Sequence, residues 1–386
     1  LCRVSDSLGG KGVLWELFSY NPPSLQLYIK LCAASPYLAG ILQNQPGMID
    51  ELMDSLVLDR LPSRRSMRAD LNELIRGAED PEMILHSFKH AQYLRVGVHD
   101  LLERQDIRAT TIALSDITEV CLQQVVCREY NRLRAKYGTP TRKSPTGDVP
   151  CELILLALGD LGGREANYHS NLDLLFLYEE SGFTKHEGHS KSRETTTNQH
   201  FYEQLSQRVV GCVNRVGSHG RLFDLDARLR PTGKTGSLVV LLSDLRQYLL
   251  CGDARLSDRQ ALCRARPING SARVQDTVNS LIQDVIGHAP WTHQDTTQLV
   301  QMRRNMENTG LSKNLKRSKG GILDIEYLVQ MLQMAHAAKH TNIITVGIGE
   351  SLTAIEKATL LSTEVASGLR AAYQFLRCVE ARLQLM

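Results

Sequence analysis

The sequence has no marked excess of one charge, no paired cysteines and no long apolar run. Its 45 basic and 42 acidic residues give a formal net charge of +3, which offers little attraction to a nucleic-acid backbone. None of the nine cysteines stands in C-x-x-C spacing, which argues against zinc and fits reduced thiols in a cytosol. The apolar runs fall far short of the ~20 residues that a bilayer needs. We therefore expect a cytoplasmic protein that binds neither nucleic acid nor membrane.

The length and composition suit a globular chain of more than one domain. Of the 386 residues, 42% are hydrophobic and 23% are charged, which is typical of two or three packed domains. The chain starts at Leu1 and stops at Met386 inside a helical pattern, so we expect it to be a fragment. The predicted fold class is α+β, in three regions: an N-terminal helical region (1–137), an α+β domain (138–271) and a C-terminal helical bundle (272–386).

Local patterns support this division. In the first region, Pro22, Pro36 and Pro46 each stand where a first helical turn is expected, and proline costs little there because that turn's N–H has no partner. Residues 138–150 carry three prolines and two glycines, which predicts a linker.

The middle region changes pattern. Short apolar runs at 151–158 and 172–180 predict buried strands, and the polar residues 181–200 predict a long surface loop. A helix is expected next, followed by two strands that flank a Pro/Gly turn.

One predicted strand, 222–230, carries a polar face. Side chains alternate across a strand, so this face consists of Asp224, Asp226, Arg228 and Arg230. Carboxylates followed by guanidiniums suit a divalent cation and then a polyphosphate. The alternative is an exposed strand whose aspartates and arginines neutralise each other.

A second polar group precedes the strand at 172–180. Asn171 and Asp173 share one face there, and Gly162-Gly163 lies eight residues before Asn171. Taken singly, these are an Asx turn and an ordinary glycine turn. Together with a distant strand that carries Asp226, they form the layout of a metal-dependent nucleotidyltransferase, in which bound cations stabilise an in-line attack on phosphorus.

Three segments, in order, resemble the glutamine synthetase adenylyltransferase family, and in particular its C-terminal half. They are LGDLGGREANYHSNLDLLFLY (158–178), FDLDARLRPTGKTGSLVV (223–240) and NLKRSKGGILDIEYLVQ (314–330). The resemblance implies a nucleotidyltransferase domain of the DNA polymerase β type, with a small mixed sheet and flanking helical regions. It also implies transfer of AMP from ATP to a tyrosine hydroxyl of glutamine synthetase. Further implications are a phosphorolytic reverse reaction and control by a PII-type signalling protein.

The resemblance assigns the metal positions. Asn171, Asp173 and Asp226 match the residues that hold Mg²⁺ or Mn²⁺, and the two aspartates are the predicted catalytic residues. Asp226 is also the candidate for polarising the attacking hydroxyl.

The resemblance also assigns the nucleotide positions. Gly162 and Gly163 match the turn that faces the triphosphate. Arg228 and Arg230 match the two arginines placed on phosphates, although an ion pair is equally open for one of them. Lys316 matches a lysine that reaches the site from the helical domain.

Two departures from the family pattern concern charge. Asn171 replaces an aspartate, and an amide oxygen binds Mg²⁺ without bringing charge, so metal affinity should fall. Asp160 stands where the family usually has lysine.

The resemblance and its departures leave three hypotheses for the function. The chain is an active adenylyltransferase, an impaired relative that keeps nucleotide or partner binding, or a related enzyme that uridylylates a PII protein.

Overall fold

The computed structural model describes most of the chain, in two compact units. Described are residues 11–48, 61–145, 147–186, 194–217, 220–228, 236–251, 254–308 and 314–386. The first unit runs to Cys121 and adds Glu165–His169 and Arg377–Met386, and the second consists of Leu122–Arg164 and Ser170–Leu376. The predicted boundaries near residues 137 and 271 stay predictions.

The first unit is helical in its described part. Its helices are Lys11–Tyr20, Pro22–Ala34, Pro36–Asn44, Arg64–Ile75 and Pro81–Leu101, with a 3₁₀ turn at Pro46–Met48. Two longer helices, Ile107–Tyr137 and Thr363–Leu385, contribute residues to both units.

The predicted helix starts are confirmed. Pro22 and Pro36 each open a helix and Pro46 opens the 3₁₀ turn. The Ser35 hydroxyl caps one of these helices by accepting from the Leu38 N–H at 3.1 Å, as expected of an N-cap serine. Among the described residues, no single helix is long and apolar enough to cross a membrane, and one bent helix pair, 22–44, passes on length and composition alone.

The second unit contains the sheets. In chain order, the described strands are β1 (Thr139–Ser144), β2 (Gly147–Pro150), β3 (Leu153–Ala157), β4 (Leu172–Tyr178), β5 (Thr184–Lys185), β6 (Val216–Gly217), β7 (Gly220–Arg221), β8 (Leu225–Asp226), β9 (Val239–Leu241) and β10 (Arg266–Pro267). The larger sheet consists of five of them: β3, β4, β8, β9 and β10. Its order is β10-β3-β4-β8, with β9 also paired to β4. β3 lies antiparallel to β4 and to β10, whereas β8 and β9 lie parallel to β4. The predicted small mixed sheet and the α+β class are therefore confirmed.

Two predicted buried strands correspond to β3 and β4. All five residues of β3 are buried, which explains why the sequence there shows a continuous apolar run rather than alternation. Helices of the second unit cover the sheet; for example, Ala272–His288 places Val278, Leu281 and Ile282 in one core with Leu156 of β3.

The remaining helices of the unit are Asn198–Asn214, Leu242–Leu250, Leu256–Leu262, His293–Asn308, Ile322–His336 and Ile348–Lys357. A short turn of helix, Gly159–Gly162, follows β3. The helices predicted after residues 200, 272 and 321 are confirmed.

Two loop predictions were wrong. In place of the predicted linker, β1 (Thr139–Ser144) pairs antiparallel with β2 (Gly147–Pro150); residue 146 lies outside the described residues. Gly147 has φ +116°, a conformation that glycine adopts without strain, so the glycine serves a tight turn rather than a linker. Residues 181–200 are also not all loop, because β5 (Thr184–Lys185) pairs with β1 and Phe183 bridges to Thr197; residues 187–193 lie outside the described residues.

Candidate functional site

The carboxyl groups of Asp173 and Asp226 come from two neighbouring strands in register. β4 and β8 are parallel, with Leu172 opposite Leu225 and Asp173 opposite Asp226. The Leu172 N–H donates to the Asp224 carbonyl oxygen at 2.8 Å. Because residues directly opposite in a sheet project to the same face, both carboxylates face the same side of the sheet edge.

The polar face predicted for residues 222–230 is present in the part that the structure describes. Phe223, Leu225 and Ala227 are buried, whereas Asp224 and Arg228 are exposed and Asp226 is partly buried. The strand itself is shorter than predicted, since β8 has only two residues. Arg230 lies outside the described residues, and its assignment stays a prediction.

The electrostatic environment raises the pKa of Asp173 to about 6. Burial is the main cause, and the negative charges of Asp226 and Asp160 add to it. Lys316 and Arg228 oppose the shift but do not cancel it. In the metal-free chain, Asp173 therefore changes its charge near pH 6.

Arg228 binds Asp226 directly. Its Nε lies 2.8 Å from each carboxylate oxygen of Asp226, a second guanidinium nitrogen contacts Oδ2, and its backbone N–H donates to Oδ1 at 2.9 Å. The ion-pair alternative therefore describes Arg228 in this structure. The guanidinium side chain is 63% exposed, and exposed ion pairs contribute little to stability, so a phosphate or a cation can compete for these groups.

Lys316 is anchored by Asp160. Its ammonium lies 2.9 Å from the Asp160 carboxylate, which also accepts from the Ser170 hydroxyl at 3.4 Å. The aspartate that departs from the family pattern thus holds the lysine that the resemblance assigned to the site. Both residues act on the charge of Asp173, which places Lys316 in the same electrostatic cluster.

The glycine turn has a packing role. The N–H groups of Gly162 and Gly163 donate to carbonyl oxygens within the turn, at 3.0 and 2.9 Å. A Cβ on Gly162 would lie closer than 3.0 Å to the carbonyl oxygens of Arg264 and Ala157. Glycine is required here by the close approach of two backbones, and contact with a triphosphate stays a prediction.

Gly159 was missed by the sequence analysis. It has φ +56°, and a Cβ on it would lie 3.0 Å from Oδ2 of Asp173. The sequence contained an indication of this role, because Gly159 is the first glycine of the segment LGDLGG, which belongs to the first matching motif.

A buried ion pair was also missed. Arg264 donates to Glu326 at 2.7 Å, with both side chains no more than 5% exposed, and lies 3.4 Å from Asp160. Removal of one partner from a buried pair costs about 3–5 kcal/mol. This pair fixes the helix Ile322–His336 beside the turn that carries Asp160.

Asn171, Asp173 and Asp226 are the residues that the resemblance assigns to a divalent cation. Asn171 is exposed and directly precedes β4, two residues before Asp173. Among the described residues, no group of three or more His, Cys, Asp or Glu side chains could hold a metal ion. Carboxylate and amide oxygens are nevertheless the ligands that Mg²⁺ and Mn²⁺ prefer, so the chemistry of these three residues fits such a cation.

Comparison with known proteins identifies similar adenylyltransferases. The family model "Glutamate-ammonia ligase adenylyltransferase" matches residues 25–280, and the model "GlnD PII-uridylyltransferase" matches residues 293–386. Similar proteins include two named bifunctional glutamine synthetase adenylyltransferase/adenylyl-removing enzyme. The protein of Thioalkalivibrio sulfidiphilus is 30% identical over 88% of this chain, and that of Methylococcus capsulatus is 31% identical over 97%. The chain spans 36% and 40% of the length of these two relatives.

Replacement of Gly162 by alanine tests the packing role of the turn. We expect Gly162→Ala to lower the free energy of unfolding by about 1–3 kcal/mol, the usual cost of overpacking, measured by urea denaturation. Gly211→Ala is the matched control, because a Cβ there meets nothing within 4 Å and alanine favours a helix interior by up to about 1 kcal/mol. Equal stability of the two variants would contradict the steric explanation.

The raised pKa of Asp173 predicts a pH-dependent cost to folding. The pKa is about 6 in the folded chain against an ordinary 3.8, so the cost is absent below pH 3.8, grows as pH rises, and is complete above pH 6. Asp173→Asn should therefore stabilise the metal-free chain at pH 8, by on the order of 1–3 kcal/mol, and have little effect at pH 4.

Denaturation with EDTA at both pH values measures this difference. Asp276→Asn, at an exposed position, should show no such dependence. If Asp173→Asn raises the free energy of unfolding equally at pH 4 and pH 8, the raised pKa of Asp173 is refuted.

Proposed function

The chain belongs to the glutamate-ammonia ligase adenylyltransferase family, and we propose that it transfers AMP from ATP to a tyrosine hydroxyl of glutamine synthetase. The observation that carries the proposal is the register of Asp173 with Asp226. Lys316 and Arg228 act on the same carboxyl group, so the site combines oxygen ligands with cationic groups for phosphate. The names of the relatives support the reaction and the target.

Asn171, Asp173 and Asp226 are the residues that would hold Mg²⁺ or Mn²⁺. A bound divalent cation would supply stabilisation of the negative charge that develops on the attacking and phosphate oxygens. Because Asn171 contributes no charge, the two aspartates provide the whole negative charge of this set.

The proposed reaction breaks one bond and forms another. The tyrosine oxygen attacks the α-phosphorus of ATP, the bond to the β-phosphate oxygen breaks, and pyrophosphate leaves. Asp226 is the group proposed to polarise the attacking hydroxyl, as the resemblance to the family implies. Its carboxylate is held by the forked contact with Arg228, and Asp173 is the second carboxylate that would hold the cation.

Two cationic side chains are proposed to bind phosphate groups. Arg228 is exposed and can exchange the Asp226 carboxylate for a phosphate, which accepts the same forked donors. Lys316 is held beside the site by Asp160 and contributes a point charge. Arg230, Gly162 and Gly163 complete the nucleotide site in this proposal.

The remaining proposals follow from the family. Residues 138–271 are proposed to be a nucleotidyltransferase domain of the DNA polymerase β type, which the mixed sheet with aspartates on adjacent strands supports. The reverse, phosphorolytic removal of AMP and control by a PII-type signalling protein belong to the same proposal, and so does a cytoplasmic location.

Two observations favour a second candidate, an impaired relative that binds nucleotide or partner without turnover. Asn171 lowers the charge of the donor set, and Arg228 already binds both carboxylate oxygens of Asp226. A third candidate, uridylyl transfer to a PII protein, is favoured by the match of residues 293–386 to the PII-uridylyltransferase model.

Incubation of the full chain with glutamine synthetase, labelled ATP and Mg²⁺ or Mn²⁺ tests the first proposal. We expect label on glutamine synthetase, lost at least 100-fold in Asp226→Asn, which is the lower range for removal of an acid–base group. Asn171→Asp should raise activity at low metal concentration, because it adds a charge to the donor set. Asn131→Asp, a change of the same kind at an exposed helical position, should not.

Three other outcomes separate the candidates. Label only from Asn171→Asp identifies the impaired relative. Label from UTP on a PII protein, without label from ATP, identifies a uridylyltransferase. No transfer by the wild-type chain or by Asn171→Asp, with either nucleotide and either metal, contradicts nucleotidyl transfer altogether.

A further inference from the structure

The strand that carries Asp226 lies at an edge of the sheet. In the order β10-β3-β4-β8, β8 pairs with β4 on one side, and the Asp224 carbonyl oxygen accepts from Leu172 on that side. Backbone groups of successive strand residues point to opposite sides. The N–H and C=O of Leu225 therefore point away from β4, where a buried peptide group needs another partner.

The side chain of Asn214 supplies both partners. Its Oδ1 accepts from the Leu225 N–H at 2.8 Å, and its Nδ2 donates to the Leu225 carbonyl oxygen at 2.9 Å. A primary amide offers one acceptor and two donors in a plane, so it replaces a neighbouring strand over one residue. Asn214 ends the helix Asn198–Asn214, and the preceding residue, Val213, accepts from the Phe223 N–H at 3.3 Å.

We infer that Asn214 is a positioning residue that holds Asp226 in register with Asp173 for cation binding. β8 has only two residues, so few ladder hydrogen bonds fix it, and Asp226 directly follows the residue that Asn214 binds. Without the amide, Leu225 would lose both partners on its outer side. Asp226 would then be free to shift relative to Asp173, and a cation that needs oxygens of both would bind less tightly.

An ordinary helix cap does not account for this geometry. A capping side chain bonds to backbone groups at the end of its own helix, whereas both bonds of Asn214 go to Leu225, eleven residues further along the chain. The inference rests on one part of the proposed function, the role of Asp226 as a cation ligand, and does not require the transfer of AMP.

Two measurements on the full chain test the inference. The first is hydrogen exchange of the Leu225 amide, which should be protected in the wild type and exchange at least tenfold faster in Asn214→Ala and Asn214→Leu. The second is Mn²⁺ affinity without ATP or glutamine synthetase, which should fall about 10–100-fold in both variants, the usual effect of losing a group that orients a metal ligand. Asn131→Ala, on an exposed helical surface, should change neither.

Asn214→Leu keeps most of the side-chain volume and removes every hydrogen bond, so it separates bonding from packing. If Asn214→Ala weakens Mn²⁺ binding but Asn214→Leu does not, the effect is a cavity and the inference is overturned. The inference is also overturned if the Leu225 amide exchanges at the wild-type rate in both variants. Unchanged Mn²⁺ affinity in both variants would overturn it as well. The two proposals can fail separately. If the wild type binds Mn²⁺ but labels no protein, and the variants lose Mn²⁺ binding, the proposed reaction is refuted and the inference is supported.

Discussion

The site depends on the parallel register between β4 and β8, which holds two carboxylates side by side against their mutual repulsion. The pKa of Asp173 is raised mainly by burial, and the negative charge of Asp226 raises it further. Sheet hydrogen bonds, the Asn214 amide and the buried side chains of Phe223, Leu225 and Ala227 oppose the repulsion. The chain thus loses some stability by holding the carboxylate oxygens of Asp173 and Asp226 close together. Groups with perturbed pKa values of this kind are common at functional sites.

Cationic side chains balance the cluster from two directions. Arg228 lies just after the strand that carries Asp226, two residues further along the chain. Lys316 comes from the segment that leads into the helix Ile322–His336 and is anchored on Asp160. The anchor itself is held near the buried Arg264–Glu326 pair. Substrate phosphate would meet one cation that is exposed and exchangeable and one that is fixed by its anchor.

The parts of this arrangement that could be predicted from sequence are those with local periodicity. β3 and β4 follow from apolar runs, and the alternation around Asp226 follows from strand geometry. The hairpin at 139–150 was mistaken for a linker, because proline and glycine mark turns within a hairpin as well as between domains. The role of Gly162 depends on Arg264, about a hundred residues away, and the bond from Asn214 to Leu225 depends on how one helix end meets one strand. No periodic pattern encodes such contacts between distant segments.

The exchange of aspartate for Asn171 changes the balance of charge around Asp173. Four carboxylates, those of Asp160, Asp173, Asp226 and Glu326, face three cationic side chains, those of Arg228, Arg264 and Lys316. These side chains together carry one formal negative charge when Asp173 is ionised and none when it is protonated. An aspartate at position 171 would add a charge to a cluster that already contains Asp160 where the family usually has lysine. Relative to the family pattern, the asparagine removes one negative charge, whereas Asp160 adds a negative charge and removes the positive charge of a lysine, so the two departures change the net charge in opposite directions.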